Sequence, residues 1–184
     1  MSGMAEGAWQ ALATTLLNRC ELAYEAALSG LDASALNWQR PWWHNSLGWL
    51  GWHIARSFDR NGAELIGIPQ LWVEGGFRDR FGLTAGLDET GYGQDPELAA
   101  ATVWTSGAML VEYHRAAVSV VREYCKHADD GDCWRNVVST TLGNQAAVLE
   151  RIAGMVADAL QHLGQMSVIV KAQGAGGVAL GDRQ

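Results

Sequence analysis

The chain has 184 residues, 48% of them apolar and 18% charged, against about 25% charged in an average globular domain. That composition excludes disorder, and a chain of this length buries a core without disulfides or a structural metal. A net charge of −7 and a pI near 5.1 exclude the basic footprint of a nucleic-acid binder.

No apolar run reaches the ~18 residues needed to span a bilayer. The start, MSGMAEGAW, lacks the basic segment and apolar stretch of a secretory signal. A cytoplasmic protein is expected, with a small molecule rather than a membrane or nucleic acid as its partner. Cys20, Cys125 and Cys133 are odd in number and irregular in spacing, as expected of reduced thiols. The low charge content leaves room for a surface covered by a partner.

The three prolines (Pro41, Pro69, Pro96) each stand where a helix would begin or end, which predicts long helices with few breaks. The first runs from about Ala5 to Leu28. In it Trp9, Leu12, Leu16, Cys20, Ala23 and Ala27 recur at steps of three and four, the period of a one-sided apolar stripe. The second starts at Asn45 or Ser46, both good N-caps, and continues to about Gly67. A glycine- and aromatic-rich loop from Ile68 to Gln94 follows, long enough to be a lid over a site or a packed Ω-loop.

Asp95-Pro96-Glu97 opens the third helix with an N-cap, a proline at the first helical position and an acid in the first turn. This helix is expected to reach about Lys126. The next stretch crowds together Cys125, His127, Asp132 and Cys133, but their spacing matches no zinc-ligand pattern and a plain loop is expected. The fourth helix starts near Ser139 or Thr140 and reaches about Lys171. Four helices with one long crossover between the second and third make an all-α four-helix bundle. The boundaries expected are one helical domain over residues 1–173 and a flexible glycine-rich tail over 174–184.

Candidate chemistry lies on the second and fourth helices. Asp158 precedes His162 by four residues, ~400° of helix, so both side chains project from one face within reach of a common ion. His53 sits mid-helix among tryptophans, where a lone histidine would ordinarily be a core residue satisfied by one hydrogen bond. Two imidazoles and one carboxylate together can hold a divalent ion on one side and leave its other positions open, the layout of a catalytic site.

Arg56 follows His53 by three residues. It could clamp an anionic substrate through paired hydrogen bonds, or form a structural ion pair with Asp59. Tyr113 and His114 could face the pocket or the core. His44 is assigned to the entry turn and His127 to a solvated loop. Of the nine tryptophans, Trp42, Trp43, Trp49 and Trp52 cluster at the start of the second helix. They would form an aromatic core, an apolar wall beside the ion, or a dimer interface.

The segment NSLGWLGWHIARSFD resembles the second-helix signature of the DinB/YfiT-like superfamily, and ADALQHLGQ is similar to its fourth-helix ending, a metal-binding histidine followed by a Gly-Gln pair. Arg78–Gly82 and Gly91-Tyr92-Gly93 are similar to loop elements of an actinobacterial-type branch. The resemblance extends over roughly Leu12 to Lys171. It implies a four-helix bundle whose ion is held by three residues, with His53 and His162 as the histidine ligands. Many members have histidine four residues before the last ligand; Asp158 stands there in this chain, as a carboxylate does in the mycothiol-dependent isomerase branch.

The implied cofactor is a divalent metal, zinc foremost, with nickel, manganese or iron compatible with the donor set. Members of known activity include mycothiol- and bacillithiol-dependent S-transferases. The resemblance therefore implies a low-molecular-weight thiol as a second cofactor and a homodimer as the assembly. The reading from another class is a non-catalytic stress-response bundle that binds a hydrophobic ligand at its Trp-rich face.

Overall fold

The computed structural model describes residues 7–39, 45–139 and 143–174. In chain order, helix α1 (Ala8–Leu28) is followed by the short α2 (Ala33–Leu36) and by α3 (Leu47–Ile66). The connection beyond α3 holds α4 (Leu71–Glu74), α5 (Phe77–Phe81) and α6 (Pro96–Ala101). Then come α7 (Gly107–His127), a 3-10 turn (Asp130–Trp134), strands β1 (Asn136–Val138) and β2 (Gln145–Ala147), and α8 (Val148–Ala172). The fold is all-α, as expected; the strands form one small antiparallel ladder with Val137 opposite Ala146. The expectations for Ala5, for Trp42, Trp43 and His44, for Thr140 and for the tail from residue 175 onward lie outside the described residues.

The four long helices make the bundle. Helix α3 packs chiefly on α7 and α8, and α1 on the same two, so α1 and α3 occupy opposite corners. Helix α3 is the buried centre. Ser46 caps it by accepting a hydrogen bond from the Trp49 N–H at 3.1 Å. Its sides are covered as far as Leu65. Gly48 is where a tryptophan comes closest: an added Cβ would meet the Trp104 side chain at 2.2–2.5 Å. Trp9, Trp49, Trp52, Trp72 and Trp104 are all buried, so most of the described tryptophans are core, while Trp134 is exposed.

Two element boundaries differ from the sequence reading. The third helix is broken between Ala101 and Gly107 into α6 and α7. The break turns Trp104 into the core, and Asn37 holds its backbone from both sides: Trp104 N–H donates to Asn37 Oδ1 at 2.8 Å, and Asn37 Nδ2 donates to the Trp104 carbonyl at 2.6 Å. Burying an indole outweighs the helical hydrogen bonds forgone, because local capping replaces them. Ser106 restarts the helix by accepting from Met109 N–H.

The fourth helix begins at Val148 rather than near Ser139. Ahead of it, β1 before Ser139 pairs with β2 directly before α8, and Glu150 caps α8 by accepting from the Ala147 N–H at 3.2 Å.

The long crossover is packed rather than open. Asp59 of α3 accepts from the backbone N–H groups of Leu71 and Trp72, both at 2.8 Å. The Trp72 indole donates to the Ala85 carbonyl and is completely buried.

Candidate metal centre

Helix α3 contributes His53, and α8 contributes Asp158 and His162 from successive turns of one face. Their donor atoms all lie within 4.8 Å of one another. His53 Nε2 is 3.5 Å from Asp158 Oδ2, and His162 Nε2 is 3.4 Å from Asp158 Oδ1. The imidazole rings stand edge to face, 4.8 Å apart at 89°.

What fixes each ring is its other nitrogen. His53 Nδ1 lies 2.6 Å from the Thr90 carbonyl, an acceptor only, so Nδ1 carries the proton and donates it. His162 Nδ1 likewise donates to Gln165 Oε1 at 2.9 Å, one turn further along α8. Both Nε2 atoms are thereby left to face the carboxylate, the arrangement in which outer hydrogen bonds orient metal-binding imidazoles. Trp49 stacks flat on His53, 5.0 Å between centroids at 8°. Burial works to raise the Asp158 carboxyl, but hydrogen bonds from His162 and His53, made when each ring carries a proton on Nε2 as well, outweigh it and hold it well below the ordinary carboxylate range. The same bond to Asp158 raises His162, against its burial. A carboxylate held ionised between two imidazole nitrogens is a donor set suited to a divalent cation.

The centre forms part of the wall of a cavity of about 850 Å³. His53 and Asp158 line it, Thr90 and Tyr92 bring the end of the crossover to its wall, and Arg60 and Arg151 lie along it. Gly91 makes the crossover's approach possible. Its φ is +91°, and an added Cβ would meet the Trp49 ring at 2.8 Å, the Trp52 ring at 3.0 Å and His53 Nδ1 at 3.2 Å.

Arg56 is placed elsewhere. It is fully buried, and its five N–H groups have five acceptors: Asp59 Oδ2 and the Tyr113 hydroxyl at 3.1 Å, Gln70 Oε1 at 2.9 Å, and the Leu87 and Glu89 carbonyls at 2.7 and 3.3 Å. No donor is left over for a substrate, and Arg56 does not line the cavity. The ion pair with Asp59, the other reading of this residue, is present.

Tyr113 belongs to that network, donating to Asp59 Oδ2 at 2.7 Å. His114 is a core residue stacked on Tyr24 at 3.8 Å. His127 is exposed, near Glu123. The sequence pattern marks neither Thr90 nor Gln165 as orienting a histidine. Gln165 follows His162 by the three residues that put two side chains on one helix face. Thr90 is 37 residues from His53, and no local pattern signals that contact.

Fold and site together define a class: a helical bundle with a two-histidine, one-carboxylate centre between two of its long helices. The chain belongs to the DinB superfamily, whose pattern matches residues 16–166. Among solved structures it is similar to a conserved protein from Enterococcus faecalis at 24% identity. The TM-score is 0.74, with 86% of this chain and 93% of that one covered, a likeness of fold. No curated protein matches the chain. Among the described residues, no helix is long and apolar enough to cross a membrane.

Proposed function

We propose that the chain is a divalent-metal-dependent enzyme in which His53, Asp158 and His162 hold the ion. Its reaction is transfer of a low-molecular-weight thiol to a small electrophilic substrate, with isomerisation or metal-assisted hydrolysis as variants on the same centre. The supporting observation is the pair of Nδ1 hydrogen bonds that turns both Nε2 atoms toward one carboxylate beside a cavity large enough for a substrate. When bound, the ion would lower the pKa of a thiol or water so that it serves as nucleophile.

The chain's own residues do the positioning. Thr90 and Gln165 hold the imidazole tautomers, Trp49 keeps solvent from one face of His53, and Arg56 anchors the segment that carries Thr90. Zinc is the expected ion, with nickel, manganese and iron as alternatives, and the assembly is taken to be a cytoplasmic homodimer. The competing reading is a non-catalytic binder at the tryptophans. The space lined by Trp49, Trp52 and Trp104 is only about 130 Å³, below the few hundred Å³ of ordinary ligand sites, which favours the enzyme.

The test is elemental mass spectrometry of tag-free wild type and His53→Ala, followed by a screen of thiol-transfer reactions with the metal-loaded protein. About one equivalent of a divalent ion in wild type and little in the variant supports the reading. A wild type that takes up no metal on reconstitution overturns it.

A further inference from the structure

Arg60 and Arg151 have no role in holding the metal ligands, yet both are more than nine-tenths buried, at 6% and 7% exposure, and both line the cavity. A buried guanidinium is normally saturated with acceptors, as Arg56 is. These two are not: among the described residues, Nε and Nη1 of Arg60 and Nε of Arg151 have no hydrogen-bond partner. Arg151 uses Nη2 on Asn144 Oδ1 and the Asn144 carbonyl, at 2.8 and 3.2 Å, and more distantly on the Val137 carbonyl, which fixes its head and leaves Nε over. Burial lowers the Arg60 pKa, Glu64 opposes that, and the positive charges of Arg151 and Arg56 add to the lowering. The two heads are therefore like charges close enough to repel in a poorly solvated place.

Their register is tied to the metal centre. Arg60 is seven residues after His53 on α3, and Arg151 is seven before Asp158 on α8. Seven residues is ~700°, nearly two full turns, and a rise of about 10 Å. Because His53 faces Asp158 while Arg60 and Arg151 share the cavity, the helices run in opposite directions, and the two pairs lie about 10 Å apart along it. Between them Ser57, Gly154 and Met155 line the path. Of the acids on this wall, Glu150 is engaged in capping α8 and Asp88 is the weakest influence on Arg60, while Glu64 is the strongest charge that opposes the lowering.

We propose that Arg60 and Arg151 form an anion subsite, which binds the carboxylate or phosphate of an elongated substrate or thiol whose reacting end lies about 10 Å away at the metal centre. The subsite itself does not depend on the metal; only the placement of the reacting end rests on the reading above.

The test titrates glutarate and inorganic phosphate, separately, into chelator-treated and zinc-loaded wild type by calorimetry. Saturable binding of one of them is expected, and which one binds tells carboxylate from phosphate. Arg151→Met and Arg60→Met should each weaken that binding at least tenfold, the effect of losing a charge-assisted hydrogen-bond pair. Arg60→Met should also unfold at no lower temperature than wild type, because it removes a buried charge without a matching acceptor. Gly154→Glu, whose added Cβ meets no atom within 4 Å and which brings a carboxylate to the cavity wall, should abolish binding without altering either arginine. His162→Ala should lose metal yet hold the anion within threefold of wild type, so failure of the metal reading leaves this result intact. Absence of binding to wild type, or equal binding by wild type and the arginine and Gly154 variants, overturns the subsite.

Discussion

Each histidine of the candidate metal centre is oriented through its Nδ1, His53 by the Thr90 carbonyl and His162 by Gln165 Oε1. Thr90 offers a carbonyl to His53 and can do so only because Gly91 lets the chain pass at φ +91° against Trp49 and Trp52. Gly91→Ala combines a strained backbone with a clash at the His53 ring. Metal affinity should fall about 10–100-fold, the usual effect of losing an outer hydrogen bond, in a competition titration against a chromogenic chelator. An unchanged affinity would mean that Thr90 does not orient His53.

His114 is a second residue-scale case. It is packed between Tyr24 of α1 and Phe58 of α3, with Arg122 of its own helix the charge that acts on it, and both ring nitrogens lack a partner among the described residues. Burial above all, and then Arg122, brings its pKa down from 6.5 to about 3. The folded state therefore refuses a proton that the unfolded state accepts below pH 6.5. The full contribution to stability is present above 6.5 and is lost as pH falls from there toward 3, at up to about 1.4 kcal/mol per pH unit. By pH 5 the loss is about 2 kcal/mol. His114→Leu should be at least as stable at pH 7 and should flatten the stability profile between pH 6.5 and 4 in urea titrations. An unaltered acid slope would assign it to other groups.

At the scale of elements, the crossover from α3 to α7 behaves as a strap. Arg56 and Asp59 sit one turn apart on α3 and hold Gln70, Leu71, Trp72, Leu87 and Glu89. A buried pair with every donor and acceptor matched is costly to break from one side, because the remaining charge has no solvent. Arg56→Met should destabilise by about 3–5 kcal/mol in chemical denaturation and should weaken metal binding indirectly, since Thr90 lies just beyond Glu89. A loss under about 1 kcal/mol would show that the strap holds without this network. Helix α1 shows how packing sets a face. Its buried stripe is Trp9, Ala13, Leu17, Cys20, Tyr24 and Leu28, rotated from the alternative that includes Leu12, which is 61% exposed. Tyr24 decides the rotation: its hydroxyl donates to the Gly51 carbonyl at 2.9 Å, with the Leu110 carbonyl sharing the same hydrogen at 3.2 Å, contacts that require it to face the bundle centre.

For the molecule as a whole, the centre and the cavity join α3 to α8, so a bound ion ties together two long helices far apart in sequence. An ion that binds only the folded chain should stabilise it by about 2.7 kcal/mol at a hundred times its dissociation constant. Differential scanning calorimetry with added zinc should show this rise for wild type and none for His53→Ala. Equal shifts in both proteins would place the stabilising ion elsewhere.

Much of this protein can be read along the chain because its governing spacings are local. The all-α class, the Ser46 start and Gly67 end of α3, and the placing of Asp158 and His162 on one face all follow from helical period and capping. So does the alignment of Arg60 with His53, although two arginines seven residues from two candidate ligands stand out only once those candidates are seen to face each other. The break at Trp104, the ladder before α8, the rotation of α1, the burial of Arg56 and the meeting of Thr90 with His53 depended on contacts between distant residues. Such contacts are set by which side chains fill the same space and which buried polar groups find a partner there, and a linear pattern carries neither. That is why three candidate ligands could be named from spacing and resemblance, while the hydrogen bonds that orient the two histidines emerged only in the folded chain.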